Sequence, residues 1–230
     1  SDPLSAKRRK SQSHDTSVAV IGLGRFGASL DAELMSESVD VLGLDRNPDI
    51  VQRYADDFTN IAVVDSTDPV ALKQLGLDAF DHVVVGIGSD LESSVLTTSV
   101  LVELGIRNVW VKATSRQHGR ILERVGAHHV VLPEHDMGER VAHLVLGTRM
   151  LDYVEFDHSF AMAKAPTPGE LVGIDLKSSR VRSRYDVTIV AVQHVGGSFD
   201  FADLDTVLAE GDVLIVAGRT RAVERFAAQQ

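Results

Sequence analysis

The apolar run Val18-Ala19-Val20-Ile21 passes directly into Gly22-Leu23-Gly24-Arg25-Phe26-Gly27, and this junction leaves the chain few folds to adopt. Four consecutive apolar residues predict a buried strand, and the segment 28–35 after the glycines predicts a helix. At G-x-G-x-x-G spacing each glycine has its own job. Gly22 makes the tight turn out of the strand, Gly24 lets the backbone close on a phosphate, and Gly27 lets the helix pack on the strand. The first N–H groups of that helix lack internal partners and sit at its positive end, so they form an anion site. A second strand is expected over 39–44, and Asp45 stands at its end, 18 residues past Gly27, where a carboxylate accepts hydrogen bonds from a ribose. The same acid disfavours a bound 2′-phosphate, so NADP is not expected, although Arg46 follows it.

Beyond this junction the pattern repeats as strand and helix. Asn47 and Pro48 cap and start a helix reaching about Phe58, and Asp68-Pro69 starts another that Gly76 stops. Strands are expected at 61–64, 82–85, 108–111 and 129–132, with helices at 91–104 and 116–125 between them. Strands this apolar are buried on both faces, as in a parallel sheet covered by helices. The fold expected is therefore α/β, a Rossmann-like doubly wound parallel sheet over residues 17–135, followed by a helix over 136–150 and a small α+β domain over 151–230. In this small domain a pair of short strands is expected within 151–165, then strands at 187–192 and 213–217 and a closing helix at 220–228. Residues 1–16, with the basic cluster Lys7-Arg8-Arg9-Lys10, are too polar to bury a core and are expected to be a disordered tail.

The absence of cysteine in the 230 residues removes disulfides and thiolate metal sites and fits a reducing cytoplasm. No apolar run approaches the roughly 20 residues that span a bilayer. A net charge of −10 argues against nucleic acid as a partner.

The ligand crevice of this fold lies among the loops at the strand C-termini. Those loops carry Gly22 to Gly27, Asp45, Arg46, Asp65, Ser66, Thr67, Ile87 and Gly88. Arg25 can reach a terminal phosphate, in its own or a neighbouring copy, or stand as a solvated surface charge. Asp65 can bond adenine or ribose and Ile87 can pack on the base, or both can be ordinary loop residues. Glu123 reads as a solvated residue on its helix, and His128, His129 and His135 lack the spacing of a zinc site. No serine elbow, Walker sequence or other catalytic constellation is present, so the chain is not expected to be an enzyme.

The glycine run, together with Leu96-Thr97-Thr98, Val109-Trp110-Val111-Lys112-Ala113, Leu122-Glu123-Arg124-Val125-Gly126-Ala127, Pro133-Glu134-His135-Asp136-Met137-Gly138 and Tyr185-Asp186-Val187-Thr188-Ile189-Val190-Ala191, resembles the RCK/KTN (TrkA-N plus TrkA-C) family, in particular its KtrA-type cytosolic regulatory subunits of K+ transporters. The resemblance covers about residues 17–228. It implies a subunit on the inner face of the membrane that dimerises, builds octameric rings under a membrane K+ transporter or channel, and changes shape with bound ATP, ADP or NAD(H). It assigns the ribose to Asp45, a phosphate to Arg25 and a cation (Mg2+, Ca2+ or Na+) to Glu123, with Phe26 and Lys112 among the nucleotide-binding residues. It reads 136–150 as a crossover helix exchanged between subunits. In some members the second domain binds cyclic di-AMP; the stretch 178–184 of this chain departs from their pattern, which leaves that ligand open. Two alternatives share these residues: an NAD(H)-binding oxidoreductase, and a regulator of another cation transporter such as a cation/proton antiporter.

Overall fold

The computed structural model describes residues 16–147 and 149–229. The expected tail, with its basic cluster, lies outside the described residues except for Thr16. The chain divides into two compact units between Glu134 and His135. No helix of the described residues is long and apolar enough to cross a membrane.

The first unit is a six-stranded sheet of β1 (Val18–Ile21), β2 (Val41–Asp45), β3 (Asn60–Val63), β4 (His82–Val85), β5 (Val109–Lys112) and β6 (His129–Val131), ordered β3-β2-β1-β4-β5-β6. Every pairing is parallel. The order reverses between β1 and β4, and that switch point opens the crevice at the strand C-termini. The side-chain alternation of β1 divides the core. Ala19 and Ile21 join Leu72, Leu101 and Leu122 on one face, while Val18 and Val20 join Leu23 and Phe58 on the other. Helices α1 (Arg25–Ser36), α2 (Pro48–Arg53), α3 (Pro69–Gln74), α4 (Leu91–Glu103) and α5 (Arg116–Val125) connect the strands.

Two helix boundaries of this unit differ clearly from expectation. Helix α1 begins at Arg25, so the last glycine of the motif is already helical. Helix α2 stops at Arg53 instead of reaching Phe58. Phe58 is needed elsewhere: its ring lies where a Cβ on Gly43 would sit, 2.6 Å away, so the glycine in β2 makes room for it. Helix α1 also buries a carboxyl. Asp31 is 2% exposed, its Oδ1 has no hydrogen-bond partner, and burial with help from the charge of Asp57 pushes its pKa up to about 6.

Helix α6 runs over Pro133–Leu146, earlier at both ends than the expected 136–150. Proline suits a first helical position, and at the other end Gly147 packs closely against Met150. The second unit is an antiparallel sheet of β7 (Asp152–Asp157), β8 (Phe160–Pro166), β9 (Val187–Gln193), β10 (Phe199–Phe201) and β11 (Val213–Arg219), ordered β10-β9-β11-β8-β7. Short helices α7 (Leu176–Ser179) and α8 (Val181–Tyr185) precede β9, and α9 (Thr220–Ala227) buries Val223 and Phe226 in the core of this unit. Neither β10 nor the two short helices is expected from the sequence pattern.

Candidate functional site

Gly22 leaves β1 at φ +88°, in the left-handed region that glycine tolerates. A Cβ there would meet Ile87 N at 3.0 Å, so the β1 and β4 loops approach each other through this glycine. Gly27 brings helix and strand together: a Cβ on it would stand 2.1 Å from Gly22 O. Gly24, the residue before α1, contrasts with both. A Cβ on Gly24 would meet nothing within 4 Å. No side chain caps α1 and no acid stands in its first turn. The positive helix end therefore faces open space, with room for an anion against the backbone.

Asp45 fixes this arrangement. Its Oδ2 accepts Leu23 N at 2.8 Å and its Oδ1 accepts Asn47 N at 2.9 Å. The carboxylate thus ties the glycine loop to the end of β2 and keeps lone-pair capacity for a further donor. Asp65 accepts both the backbone N–H and the hydroxyl of Thr67 at Oδ1. Those bonds, the hydroxyl's first, hold the Asp65 carboxyl below the usual range, and Arg46 adds to them. Ser66 is buried, with its hydroxyl 2.7 Å from that of Thr97. Arg46 Nη1 donates to Asp90 Oδ2 at 3.2 Å and to Ser93 Oγ at 3.3 Å. Asp90 in turn caps α4 by accepting Ser93 N.

These groups surround a cavity of about 250 Å³. Of the residues expected from sequence, Gly22, Gly24, Asp45, Arg46, Asp65, Ser66, Thr67, Ile87 and Gly88 line it. Asn47, expected only as a helix cap, lines it as well, as do Ile50, Val64, Asp90 and Ser93, which were not singled out. Asp90 directly precedes the expected helix at 91–104 but was not singled out, and nothing local points its carboxylate at Arg46. The carboxylates of Asp45, Asp65 and Asp90 and the open start of α1 at Gly24 border one cavity. A carboxylate suits a ribose hydroxyl and a helix N-terminus suits a phosphate.

Four expected site residues lie outside the cavity lining, besides Gly27, whose role is packing. Arg25 is exposed at the start of α1. Phe26 is half-buried, beside the position a Cβ on Gly86 would take. Lys112 is 9% exposed at the end of β5, with Nζ 2.6 Å from Glu134 Oε1. Glu123 is exposed on α5, and no group of three or more His, Asp or Glu among the described residues is arranged to hold a metal ion.

The second unit has its own cavity, of about 540 Å³, with Lys177, Arg180, Arg182, Val181, Ile189 and Leu204 in its wall. Arg180 lies at φ 51°, between α7 and α8.

Comparison with known proteins finds two domain families in succession along the chain. The TrkA-N domain family matches residues 18–133 and the TrkA-C domain family matches 161–230. The Ktr system potassium uptake protein C of Bacillus subtilis (strain 168) is 39% identical over 209 residues, 90% of this chain and 94% of that protein. The Ktr system potassium uptake protein A of the same organism is 34% identical over 208 residues, again 90% and 94%. Among solved structures, the GsuK channel bound to NAD superposes with a TM-score of 0.63 at 19% identity, over 94% of this chain and 40% of the channel's. At that identity the likeness concerns the fold alone.

Proposed function

The chain belongs to the family that joins a TrkA-N domain to a TrkA-C domain, and from that premise we propose that it is a nucleotide-gated regulatory subunit of a membrane K+ uptake system. The names of the Bacillus relatives, potassium uptake proteins covered over nearly their whole length, support the transport role. The observation that carries the nucleotide role is the cavity at the β1/β4 switch point. Its lining includes both the uncapped helix terminus at Gly24 and the Asp45 carboxylate. In this reading ATP or ADP binds with its phosphates at the start of α1, its ribose at Asp45 and its base between Ile50, Val64 and Ile87. Arg25, outside the cavity, meets the terminal phosphate of a nucleotide held by a second copy. Glu123 takes part in a cation site that a second copy completes. NAD(H) fits the same fingerprint, and the GsuK channel is a fold neighbour with NAD bound.

The subunit acts without chemistry. It dimerises, assembles into an octameric ring at the inner face of the membrane, and changes ring shape because ATP and ADP differ in affinity for the two shapes. Helix α6 is the crossover between the domains. The basic cavity of the second unit is the place for cyclic di-AMP, since Lys177, Arg180 and Arg182 supply cations for its phosphates.

The test is calorimetry of the full chain with ATP, ADP and NADH, with light scattering on the same samples. Binding of ATP and ADP without turnover, by a large homo-oligomer, is expected. A strict monomer indifferent to all three nucleotides would refute the proposal.

A further inference from the structure

Helix α6 begins at the boundary between the two units, and little apolar burial holds it to the second. None of its residues is buried, Val145 and Leu146 are largely exposed, and Leu144 packs, partly buried, on the core of that unit. Polar contacts must therefore carry much of the docking, and two side chains one turn apart make them. Arg140 Nε donates to Asp152 Oδ1 at 3.0 Å. His143 reaches further. Its ring stacks on that of Tyr153 with centroids 4.3 Å apart, its Nδ1 lies 2.9 Å from Glu224 Oε1 on α9, and its Nε2 lies 3.3 Å from Glu155 Oε2 on β7. One side chain thus joins three elements of the second unit.

Both ring nitrogens face a carboxylate, and this decides the chemistry. A neutral imidazole has one N–H and one lone pair, whereas the imidazolium has two N–H groups, and an ionised carboxylate only accepts. The neutral ring therefore serves one of the two acids and turns a lone pair to the other. The protonated ring serves both and cancels one of their two charges. The neighbouring groups do not replace that proton. Arg140 is engaged by Asp152, and Asp136 and Glu139, on α6 itself, add negative charge beside His135. Tyr153 donates to Glu155 Oε2 at 3.4 Å, and burial, then the charges of Glu155 and Glu224, push its pKa up to about 12, so it stays a neutral donor at physiological pH. The ring is still within reach of water. The His143 side chain is 26% exposed and borders a cavity of about 250 Å³, so a proton can enter and leave.

We infer that His143 is a proton-operated clasp, closed on Glu155 and Glu224 when the ring is protonated and half-open when it is neutral, so that the docking of α6 on the second unit follows pH. The three groups hold one proton between them and titrate as a unit. The docking which that proton supports is present at low pH and is lost as pH rises through the range where imidazoles ionise, about 6.5. The clasp does not depend on the nucleotide reading of the crevice. It adds acidity as a separate input, received on the helix between the two domains.

The test is amide hydrogen exchange of the full chain at about pH 5.5 and about pH 8, read in peptides from 139–147 and 220–229 and corrected for the intrinsic effect of pH on exchange. Wild-type protection in these segments is expected to be about fivefold higher at the lower pH, the scale of one charge-assisted hydrogen bond at a partly exposed site. His143→Gln, which keeps a donor but cannot take up a proton, is expected to lose this difference, and Glu224→Gln is expected to shrink it. Two controls are expected to keep it: His135→Gln, which removes the other histidine of α6, and Asp31→Asn, which removes the buried acid of the first unit. Equal protection of the wild type at both pH values would overturn the inference, and this result needs no variant to fold. A His143→Gln variant with the full pH difference intact would overturn it as well.

Discussion

Two glycines three residues apart should fail in opposite ways when given a methyl group. A Cβ on Gly24 meets nothing within 4 Å, and this residue has φ −70°, which alanine adopts freely. Gly24→Ala should therefore change stability by no more than about 1 kcal/mol, the difference between glycine and alanine before a helix. Its methyl group, however, projects into the open space that the proposed function gives to a phosphate. Pushing the phosphate out of reach of one N–H forfeits a charge-assisted hydrogen bond of about 1.5–3 kcal/mol, which weakens nucleotide binding roughly 10- to 100-fold. Gly27→Ala places its methyl 2.1 Å from Gly22 O and 3.3 Å from Val20 Cγ1. A backbone oxygen cannot yield as a side chain can, so α1 must lift from β1, at a cost of about 3 kcal/mol or more. Thermal unfolding by circular dichroism and calorimetric titration with ADP on both variants check this. Gly24→Ala should melt near the wild type and bind poorly, and Gly27→Ala should melt well below it. If Gly24→Ala bound ADP as tightly as the wild type, the α1 terminus would not be the phosphate site.

The remaining predictions test separate features of the molecule. Asp31→Asn should stabilise the chain at pH 8 and leave it unchanged at pH 4 in thermal melts. A folded pKa raised from 3.8 to about 6 makes the folded state resist ionisation, so stability falls between those values and stays lower above them, by at most about 3 kcal/mol. A variant less stable than the wild type at pH 8 would contradict it. Gly43→Ala should lower stability by about 1–3 kcal/mol, because its methyl meets the Phe58 ring at 2.6 Å, and Phe58→Leu in the same chain should recover some of the loss. If Asp45 accepts the ribose as proposed, 2′-deoxy-ADP should in calorimetry bind the wild type about 10-fold more weakly than ADP does, whereas Asp45→Asn should bind the two equally weakly. Arg25→Ala should weaken ATP more than ADP, and equal losses would refute a γ-phosphate role.

The sheet and the glycine-loop end of the crevice were legible because their signals are local. An apolar run of strand length, a glycine spacing and an acid at the end of β2 each act within a few residues. What escaped depends on distant partners. Arg46 meets Asp90 across 44 residues of sequence, and no pattern in either segment announces the pair. Gly43 reads as an ordinary strand glycine until Phe58 is seen beside it, and for the same reason α2 looked longer than it is. Helices α7 and α8, four and five residues long, are too short for periodicity to register. They turn through Arg180 and Asp186 at positive φ, positions where glycine would have signalled a break. Lys112 was singled out through family resemblance, whereas its partner Glu134 emerged only from the fold.

The central claim is that an adenine nucleotide lies across the β1/β4 switch point with its phosphates on α1. A crystal structure of the full chain grown with ADP tests it most directly. Diphosphate density within hydrogen-bond reach of the backbone N–H groups at the start of α1, with the ribose hydroxyls on Asp45, is the predicted result. An unchanged cavity at saturating ADP, or a nucleotide held elsewhere in the chain, would contradict it.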